Sequence, residues 1–99
     1  MYKITTPLST RDLNNYFQIR WELLRKPWDQ VLGSEKDTLE DKSVHRMAII
    51  NEKIIAVGRL HYIDSTIAQV RYMAVKKEFE KKGIGQAIYL SLEKEARNK

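Results

Sequence analysis

Apolar residues recur along this chain with two different periods, which predict alternating strands and helices. A short alternating segment at residues 2–5 favours a first strand. A helical period follows over residues 11–24, and its apolar members are Leu13, Tyr16, Phe17, Trp21 and Leu24. A hydroxyl of Ser9 or Thr10 can cap this helix. Pro27 ends it, because the residue before a proline avoids helical geometry.

The middle of the chain has the composition of an antiparallel meander. The β-branched segments 44–50 and 54–60 are joined by residues 51–53, which suits a hairpin. A second turn at residues 64–66 leads to a third strand over residues 67–75. Three strands joined by such short turns predict an antiparallel sheet.

Two further segments complete the pattern. The polar segment 28–42 is predicted as a loop with at most one helical turn. A last helix begins near Gly83, and its apolar residues spread over about two-thirds of its circumference; they are Ile84, Ala87, Ile88, Tyr89, Leu90, Leu92 and Ala96. A helix with so wide an apolar arc needs cover on more than one side. The predicted order of elements is β-α-(loop)-β-β-β-α.

Composition narrows the class of protein. With 99 residues, 42% of them hydrophobic and 31% charged, the chain is predicted to form one soluble globular domain over residues 1–99. It has no cysteine, which excludes disulfides and thiolate chemistry, and its two histidines are too few for a histidine-rich metal site. We find no membrane-spanning apolar run and no signal peptide, so we expect a cytoplasmic protein. The net charge of +5 favours anionic partners.

The junction between the third meander strand and the last helix carries the most specific chemistry. Residues 71–75 end the strand, residues 76–82 form a lysine-rich loop, and Gly83 and Gly85 open the helix. The first amides of a helix lack internal partners, and glycines let a ligand approach them. This arrangement suits a binding site for phosphate groups. The structural alternative is that Gly83 only starts the helix and that the lysines are only solvated. It is neither a dinucleotide fingerprint, since the third glycine is missing, nor a Walker loop.

The same residues resemble the central motif of the GNAT superfamily of acetyltransferases. That motif has a strand often ending in Ala-Val, as in Tyr72-Met73-Ala74-Val75, then a loop of the form Arg/Gln-x-x-Gly-x-Gly/Ala, as in the segment around Lys82-Gly83-Ile84-Gly85. The order of elements is also similar to that family. The resemblance implies an α/β fold with a mostly antiparallel sheet flanked by helices, of which this chain is the N-terminal two-thirds.

The resemblance also implies a substrate and the residues that bind it. Acetyl-coenzyme A would be the acyl donor, and its pyrophosphate would bind the amides of Lys81, Lys82, Gly83, Ile84, Gly85 and Gln86. Backbone groups of Met73, Ala74 and Val75 would pair with pantetheine and polarise the thioester carbonyl. An amine of a small molecule or protein would then attack the thioester directly.

Two departures from the family pattern bear on activity. Glu80 occupies the position where the family has Arg or Gln, and an acidic group there weakens the attraction for phosphate. The family also continues past the last helix with strands that form the second wall of the cleft, often including a tyrosine that protonates the leaving thiolate. We therefore expect little activity from this chain alone. The alternative function is a non-catalytic module that binds coenzyme A or another anion, or that self-associates.

The resemblance to the family also implies which surfaces of this chain bind partners. In the family a further strand lies beside residues 67–75, so we expect this edge and the last helix to pair with a second copy or with a complementary C-terminal chain. We expect Tyr89, Leu90 and Leu92 to widen the uncovered apolar surface. Nucleic acid is a disfavoured partner, because the basic residues are spread along the chain without interleaved aromatics.

Several other residues have both a structural and a functional interpretation. The long stem of Arg20 is expected to pack on the first helix while its head reaches water. Alternatively, Arg20 and Arg25 line the acceptor side of the cleft and bind an acidic group, with Trp28 shaping the same region. His61 is a weak candidate for the base that deprotonates the amine, although a structural or solvated histidine is favoured there, as it is for His45. The acidic residues of the long loop are expected to be solvated; they are Glu35, Asp37, Glu40 and Asp41.

Overall fold

Four strands, two α-helices and three short 3₁₀ turns follow one another along residues 1–98, the part of the chain that the computed structural model describes. The main elements are β1 (Lys3–Thr5), α1 (Thr10–Leu24), β2 (Val44–Ile50), β3 (Lys53–Tyr62), β4 (Ala68–Val75) and α2 (Ile84–Arg97). The predicted order is confirmed, and the predicted boundaries lie within two residues of these. The long loop contains two 3₁₀ turns, Lys26–Trp28 and Glu40–Lys42, where one helical turn was predicted.

The ends of α1 are set by the signals expected from the sequence. The side chain of Ser9 accepts a hydrogen bond of 3.0 Å from the amide of Asp12, which satisfies an otherwise unpaired helix donor. At the other end the amide of Arg25 donates to the Trp21 carbonyl at 2.9 Å. Pro27 then belongs to a 3₁₀ turn, where its fixed φ is accommodated.

The strands form one antiparallel sheet in the order β1-β2-β3-β4. The hairpin between β2 and β3 turns through Asn51 and Glu52, whose φ angles are 49° and 67°. Two consecutive residues with positive φ make the mirror-image turn that matches the twist of a hairpin. β4 lies at one edge of the sheet and β1 at the other.

The two helices pack on opposite faces of the sheet. Ile84, Ile88 and Leu92 of α2 are buried with Ala56 and Leu60 of β3 on one face, while Tyr16 of α1 is buried with Met47 and Val57 on the other. Alternate residues of a strand point to opposite faces, so β3 contributes to both cores. This explains why its residues from Ile55 to His61 are all buried.

Leu92 is fully buried against the sheet, which corrects one prediction about α2. It lies on the same face of the helix as Ile84 and Ile88, at a spacing of four residues. Tyr89 and Leu90 keep exposed fractions of 44% and 51%, so the apolar surface left by α2 is narrower than predicted. Neither helix within residues 1–98 is long and apolar enough to cross a membrane.

A β-bulge in β4 interrupts its pairing with β3. Val57 lies opposite Ala74 and Arg59 opposite Arg71, which leaves two residues of β4, Tyr72 and Met73, across from a single glycine, Gly58. Tyr72 adopts the left-handed conformation, with φ of 55°. Because the bulge adds one residue, side chains 71 and 72 both face α1, and alternation resumes beyond it.

A cluster of buried arginines lies between α1 and β3, and it overturns two predictions. The guanidinium of Arg20 is fully buried, so its head does not reach water; it donates to Glu40 Oε2 at 2.8 Å and to the Glu35 carbonyl at 3.1 Å. Arg59, also fully buried, binds both carboxylate oxygens of Asp37, at 2.7 and 3.0 Å, and Glu40 Oε2 at 3.0 Å. We call Arg20, Arg59, Asp37 and Glu40 the arginine network.

The arginine network explains why the loop acids are not solvated as predicted. Two buried guanidinium groups need carboxylates for charge compensation, since an unpaired buried charge is strongly destabilising. Hydrogen bonds from Arg59 hold the pKa of Asp37 well below its usual range. Glu35 is only 3% exposed, and its carboxylate accepts a hydrogen bond of 2.8 Å from the amide of Gly33. Asp41, which is exposed, is the one of the four acids that fits the prediction.

His45 has a structural role, as its favoured interpretation predicted. Its Nε2 lies 2.9 Å from the Glu40 carbonyl, which can only accept, so Nε2 carries a proton. Its Nδ1 lies 2.8 Å from the hydroxyl of Tyr16. Burial raises the pKa of Tyr16 to about 12, so this hydroxyl stays protonated. Burial lowers the pKa of His45 below its usual 6.5, because the low-dielectric interior disfavours the charged ring.

We expect the protein to lose stability as the pH falls below about 6.5, the pKa of an unfolded histidine. The unfolded chain then binds a proton at position 45 that the folded chain resists, and burial lowers the pKa of His61 in the same direction. Urea unfolding at pH 7.5 and pH 5.5 measures the difference. His45→Gln combined with His61→Gln should reduce the pH dependence in this interval. If the stability of the wild type and of the double variant depended equally on pH, the effect would not come from these two histidines.

Candidate functional site

A cavity of about 660 Å³ lies where the end of β4 meets the start of α2. Eight of the nine residues that the sequence assigned to acetyl-coenzyme A line it: Met73, Ala74, Val75, Lys81, Gly83, Ile84, Gly85 and Gln86. The ninth, Lys82, is exposed and does not line it. The sequence also pointed to Glu80 and to the lysine-rich loop that contains Lys77, but it did not point to the remaining lining residues, which are Leu23, Leu24 and Phe79. We call this space the strand–helix cavity.

The first turn of α2 presents unpaired amides at this cavity. The first helix amide that reaches a carbonyl is that of Ala87, which donates to Gly83 at 3.0 Å. The amides of Ile84, Gly85 and Gln86 precede it and have no partner within the helix. Gly83 itself has φ of 79°, and Lys81 has φ of 63°. Backbone in this conformation next to a helix start favours anions, because several N–H groups converge and the helix dipole adds positive potential.

Glycine at position 85 leaves little room for a longer side chain. A Cβ atom there would lie 3.4 Å from Cγ2 of Val75, an ordinary contact distance. A methyl group therefore fits beside Val75, which lines the strand–helix cavity. A longer side chain at position 85 would add atoms next to the amides of this first turn.

The edge of β4 supplies a second set of backbone groups. The amide of Lys76 donates to the Ile55 carbonyl of β3 at 2.8 Å. Peptide groups alternate in direction along a strand, so those of Val75 and Met73 face away from β3. They are available to a ligand that extends the sheet. An N–H group held in this position can stabilise negative charge that develops on a carbonyl oxygen.

Charged side chains around the cavity carry both signs. Lys77 and Lys81 line it and favour phosphate, whereas Glu80 lines it and opposes phosphate. An elongated molecule with phosphates at one end and amide groups at the other matches this arrangement. The residues present therefore fit coenzyme A, with the phosphates at the start of α2 and the pantetheine along β4.

The structure places the other predicted site residues outside this cavity. His61 is 6% exposed, and its Nδ1 lies 3.2 Å from Nη2 of Arg59. His61 pairs with Gln69 and lies four residues along β3 from Val57, which is the partner of Ala74. Four residues of a strand span about 13 Å, at about 3.3 Å per residue. His61 is therefore not near Met73–Val75.

The three residues predicted on the acceptor side have different surroundings. The guanidinium of Arg20 is buried in the arginine network, where Glu40 is the acidic group that it binds. Arg25 follows α1 and donates from Nε to the Ser34 carbonyl at 3.1 Å. Trp28 has an exposed fraction of 76%. Leu24, the residue before Arg25 in the chain, lines the strand–helix cavity, whereas Arg25 itself does not.

The sequence model of the acetyltransferase (GNAT) family matches residues 12–99 of this chain. The chain belongs to that family. The match begins at the start of α1 and includes the strand–helix cavity. The resemblance inferred from residues 72–85 is therefore confirmed, and the cavity occupies the position of the GNAT motif.

Solved structures of the family have the same fold. An acetyltransferase of the GNAT family from Staphylococcus aureus Mu50 superposes with a TM-score of 0.81 at 13% identity, covering 99% of this chain and 68% of that one. The ribosomal-protein-S18-alanine N-acetyltransferase from Escherichia coli gives 0.69 at 19% identity, covering 99% and 61%. An aminoglycoside 6′-N-acetyltransferase complexed with coenzyme A gives 0.76 at 12% identity, covering 99% and 56%.

This chain spans between just over half and about two-thirds of the lengths of these three structures. At such identities the likeness establishes the fold, which is the predicted GNAT-like α/β architecture with an antiparallel sheet between helices. One of the similar proteins was solved with coenzyme A bound.

Proposed function

We propose that this chain binds acetyl-coenzyme A in the strand–helix cavity and serves the transfer of its acetyl group to an amine of a small molecule or protein. The observation that carries the proposal is the convergence of two kinds of free backbone group on one cavity. The amides of Ile84, Gly85 and Gln86 suit the pyrophosphate. The peptide groups of Met73 and Val75 suit the pantetheine and the thioester carbonyl.

The donor supplies an activated acyl group, and the chemistry is a direct displacement. A bond forms between the amine nitrogen and the acyl carbon, the carbon–sulfur bond breaks, and the sulfur leaves with the electron pair. The amine loses one proton and the thiolate gains one, so the products are an amide and free thiol. The role of β4 is to hold the carbonyl beside an N–H donor while charge develops on its oxygen.

The alternative is a module that binds coenzyme A without turning it over, and one observation favours it. No tyrosine, histidine or cysteine is among the residues of the described chain, 1–98, that line the cavity. The proton donors there are Lys77 and Lys81 of the loop, rather than a group at the strand end. A missing general acid typically lowers the rate by about 10²–10⁴-fold. We therefore expect binding to be easier to detect than turnover.

The test is to measure binding and turnover separately on the same protein. Calorimetry with coenzyme A should show binding, and Glu80→Gln should tighten it by about two- to fivefold, the range expected for removing a repulsive surface charge. Glu78→Gln removes an exposed charge that does not line the cavity, so it is the matched control. Release of thiol from acetyl-coenzyme A with a panel of amines then separates an enzyme from a binding module. Absence of any coenzyme A binding would exclude both functions.

We also propose that the outer edge of β4 before the bulge, residues 68–71, pairs with a strand of another chain, which is a second copy or a complementary C-terminal segment, and that Met73 and Val75 beyond the bulge stay available to the pantetheine. The support is that β4 has a sheet neighbour on one side only, within residues 1–98. Ile67, next to its start, has an exposed fraction of 51%, similar to that of Leu90 on α2. Unpaired strand edges bind other strands, because their N–H and C=O groups lack partners.

Sedimentation equilibrium at micromolar concentration should therefore show a dimer. Replacing Ala68 with proline removes one strand N–H and places a rigid ring at the start of β4, so it should shift the equilibrium to monomer if pairing includes this end. Leu90→Lys tests the contribution of α2 in the same way. A wild-type protein that is monomeric and well folded across the concentration range would contradict the proposal.

A further inference from the structure

The aromatic ring of Tyr72 is surrounded by four arginines. The guanidinium carbons of Arg20, Arg59, Arg71 and Arg25 lie 4.5, 4.6, 4.8 and 5.6 Å from the ring centre. The bulge in β4 creates this arrangement, because it turns Tyr72 to the same face as Arg71. The hydroxyl of Tyr72 is 3.3 Å from Asp37 Oδ2, to which it donates. The ring therefore has a fixed position.

Only two of these four arginines have a carboxylate partner. Arg20 pairs with Glu40, and Arg59 pairs with Asp37 and Glu40. Neither Arg25 nor Arg71 is within ion-pair distance of any carboxylate in the part of the chain that the structure describes. Four guanidinium groups thus share two carboxylates, which leaves two uncompensated positive charges.

The two unpaired guanidinium groups differ in accessibility from the paired ones. Arg71 is exposed on β4, and its guanidinium group lies over the ring of Tyr72. Arg25 is half-buried and uses Nε for the Ser34 carbonyl, which leaves its two terminal nitrogens for a ligand. Stacking on an aromatic ring restrains a guanidinium group without using its N–H donors. Both groups are therefore held in place with donors free.

The backbone connects this cationic pair to the strand–helix cavity. Leu24 and Met73 line the cavity, and they are the chain neighbours of Arg25 and Tyr72. Met73 belongs to the strand end of the cavity that is proposed for the pantetheine, away from the loop that suits the phosphates. Because consecutive Cα atoms are about 3.8 Å apart, the backbone at Arg25 and Tyr72 adjoins residues of the cavity.

We propose that Arg25 and Arg71 bind a carboxylate of the acceptor, so that the acetylated amine belongs to a molecule that also carries a carboxylate group. The inference rests on the proposed acetyl transfer and adds the class of acceptor to it. Guanidinium groups bind carboxylates through two parallel hydrogen bonds, which fixes orientation as well as position. Such an anchor would direct the amine of the acceptor toward Met73–Val75.

The test uses matched pairs of amines that differ only in charge. The ω-amino acids with three to six carbons each have a neutral counterpart in which an amide replaces the carboxylate. The wild-type chain should acetylate the acids in preference to the amides. Arg25→Gln and Arg71→Gln should each lower kcat/KM for the acids by roughly tenfold, the value of one charge-assisted hydrogen bond. The same variants should change kcat/KM for the amides by no more than about twofold.

A second measurement is independent of turnover. Glutarate carries a carboxylate at each end and no amine, and titration followed by NMR should shift resonances of Tyr72 and its neighbours. Arg71→Gln should weaken glutarate binding by roughly tenfold, and this exposed position is not needed for folding. Arg97→Gln is the control, because it removes the same charge from the far end of α2, where the side chain is 77% exposed. Its affinity for glutarate should equal that of the wild type.

The outcomes distinguish the inference from the proposed function. Glutarate binding that depends on Arg25 and Arg71 in a chain that does not transfer acetyl groups would support the anion site and refute the enzyme. Acetylation of acids and amides at equal rates, with no effect of either variant, would overturn the inference and leave the enzyme intact. Glutarate binding that is equal in the wild type and both variants would also overturn it.

Discussion

Replacing Gly85 with glutamate should weaken the binding of coenzyme A by at least about a hundredfold. The new side chain would add bulk at a residue that lines the strand–helix cavity, where a Cβ at position 85 already lies 3.4 Å from Cγ2 of Val75. Its carboxylate would also compete with the pyrophosphate for the amides of Ile84 and Gln86. Losing two hydrogen bonds to a charged group costs about 3 kcal/mol or more, which is about a hundredfold in affinity.

The same substitution should leave the fold intact, which makes the result interpretable. Glutamate has a higher helix propensity than glycine, by about 0.5–1 kcal/mol. An acidic side chain in the first turn of α2 also interacts favourably with the helix dipole, by about 0.3–1 kcal/mol. Thermal unfolding should therefore show a protein at least as stable as the wild type.

Two neighbouring variants separate size from charge. Gly85→Ala adds a methyl group at an ordinary contact distance and should bind coenzyme A within a few-fold of the wild type. Gly85→Gln has the length of glutamate without its charge and should give an intermediate affinity. Calorimetry with coenzyme A measures all three. Equal affinity for the glutamate variant and the wild type would show that the phosphates bind elsewhere.

Replacing Gly58 with alanine should destabilise the protein by about 2–3 kcal/mol, at the upper end of the usual cost of overpacking. A Cβ at this position would lie 2.6 Å from Cγ2 of Ile88 and 3.3 Å from the sulfur of Met73. Ile88 is fully buried in the face where α2 packs on the sheet, so it cannot move aside without shifting the helix. The melting temperature should fall by about 10 °C or more.

A second substitution tests whether the cause is this contact. Ile88→Leu moves the branch of the side chain and removes the γ2 methyl group, at a cost below about 1.5 kcal/mol by itself. In the Gly58→Ala background it should recover part of the lost stability, with a coupling free energy of about 0.5–3 kcal/mol. Gly85→Ala is the matched control, because its new methyl group meets Val75 at 3.4 Å. A Gly58→Ala protein as stable as the wild type would contradict the packing argument.

The coenzyme site was predicted from the sequence because its determinants are local. A strand, a short loop and a helix start with Gly83 and Gly85 are consecutive, and the amides that bind phosphate belong to the same segment. Eight of its nine predicted residues line the cavity for this reason. Leu23 and Leu24 were missed, because they come from α1 and reach the cavity only when the helix packs on the sheet. Their helical period shows a buried face but not what it contacts.

The arginine network could not be predicted, because its members are far apart in the chain. Arg20 and Glu40 are 20 residues apart, and Arg59 and Asp37 are 22 residues apart. A single arginine in an amphipathic helix is usually interpreted as a stem that packs and a head that reaches water. Burial of the head requires a carboxylate at the same depth, and only the course of the long loop decides whether one is present.

The sequence by itself determined the order of elements and the site at the start of α2, since both depend on periodicity and on hydrogen bonds between near neighbours. Only the tertiary structure decided the environment of Tyr72. Regular alternation would place Tyr72 on the α2 face, with Val70 on one side of it and Ala74 on the other. The bulge opposite Gly58 turns it to the α1 face instead, among Arg20 and Arg59. The register between strands depends on how side chains pack on both faces of the sheet. The local pattern of residues 67–75 therefore does not predict the bulge.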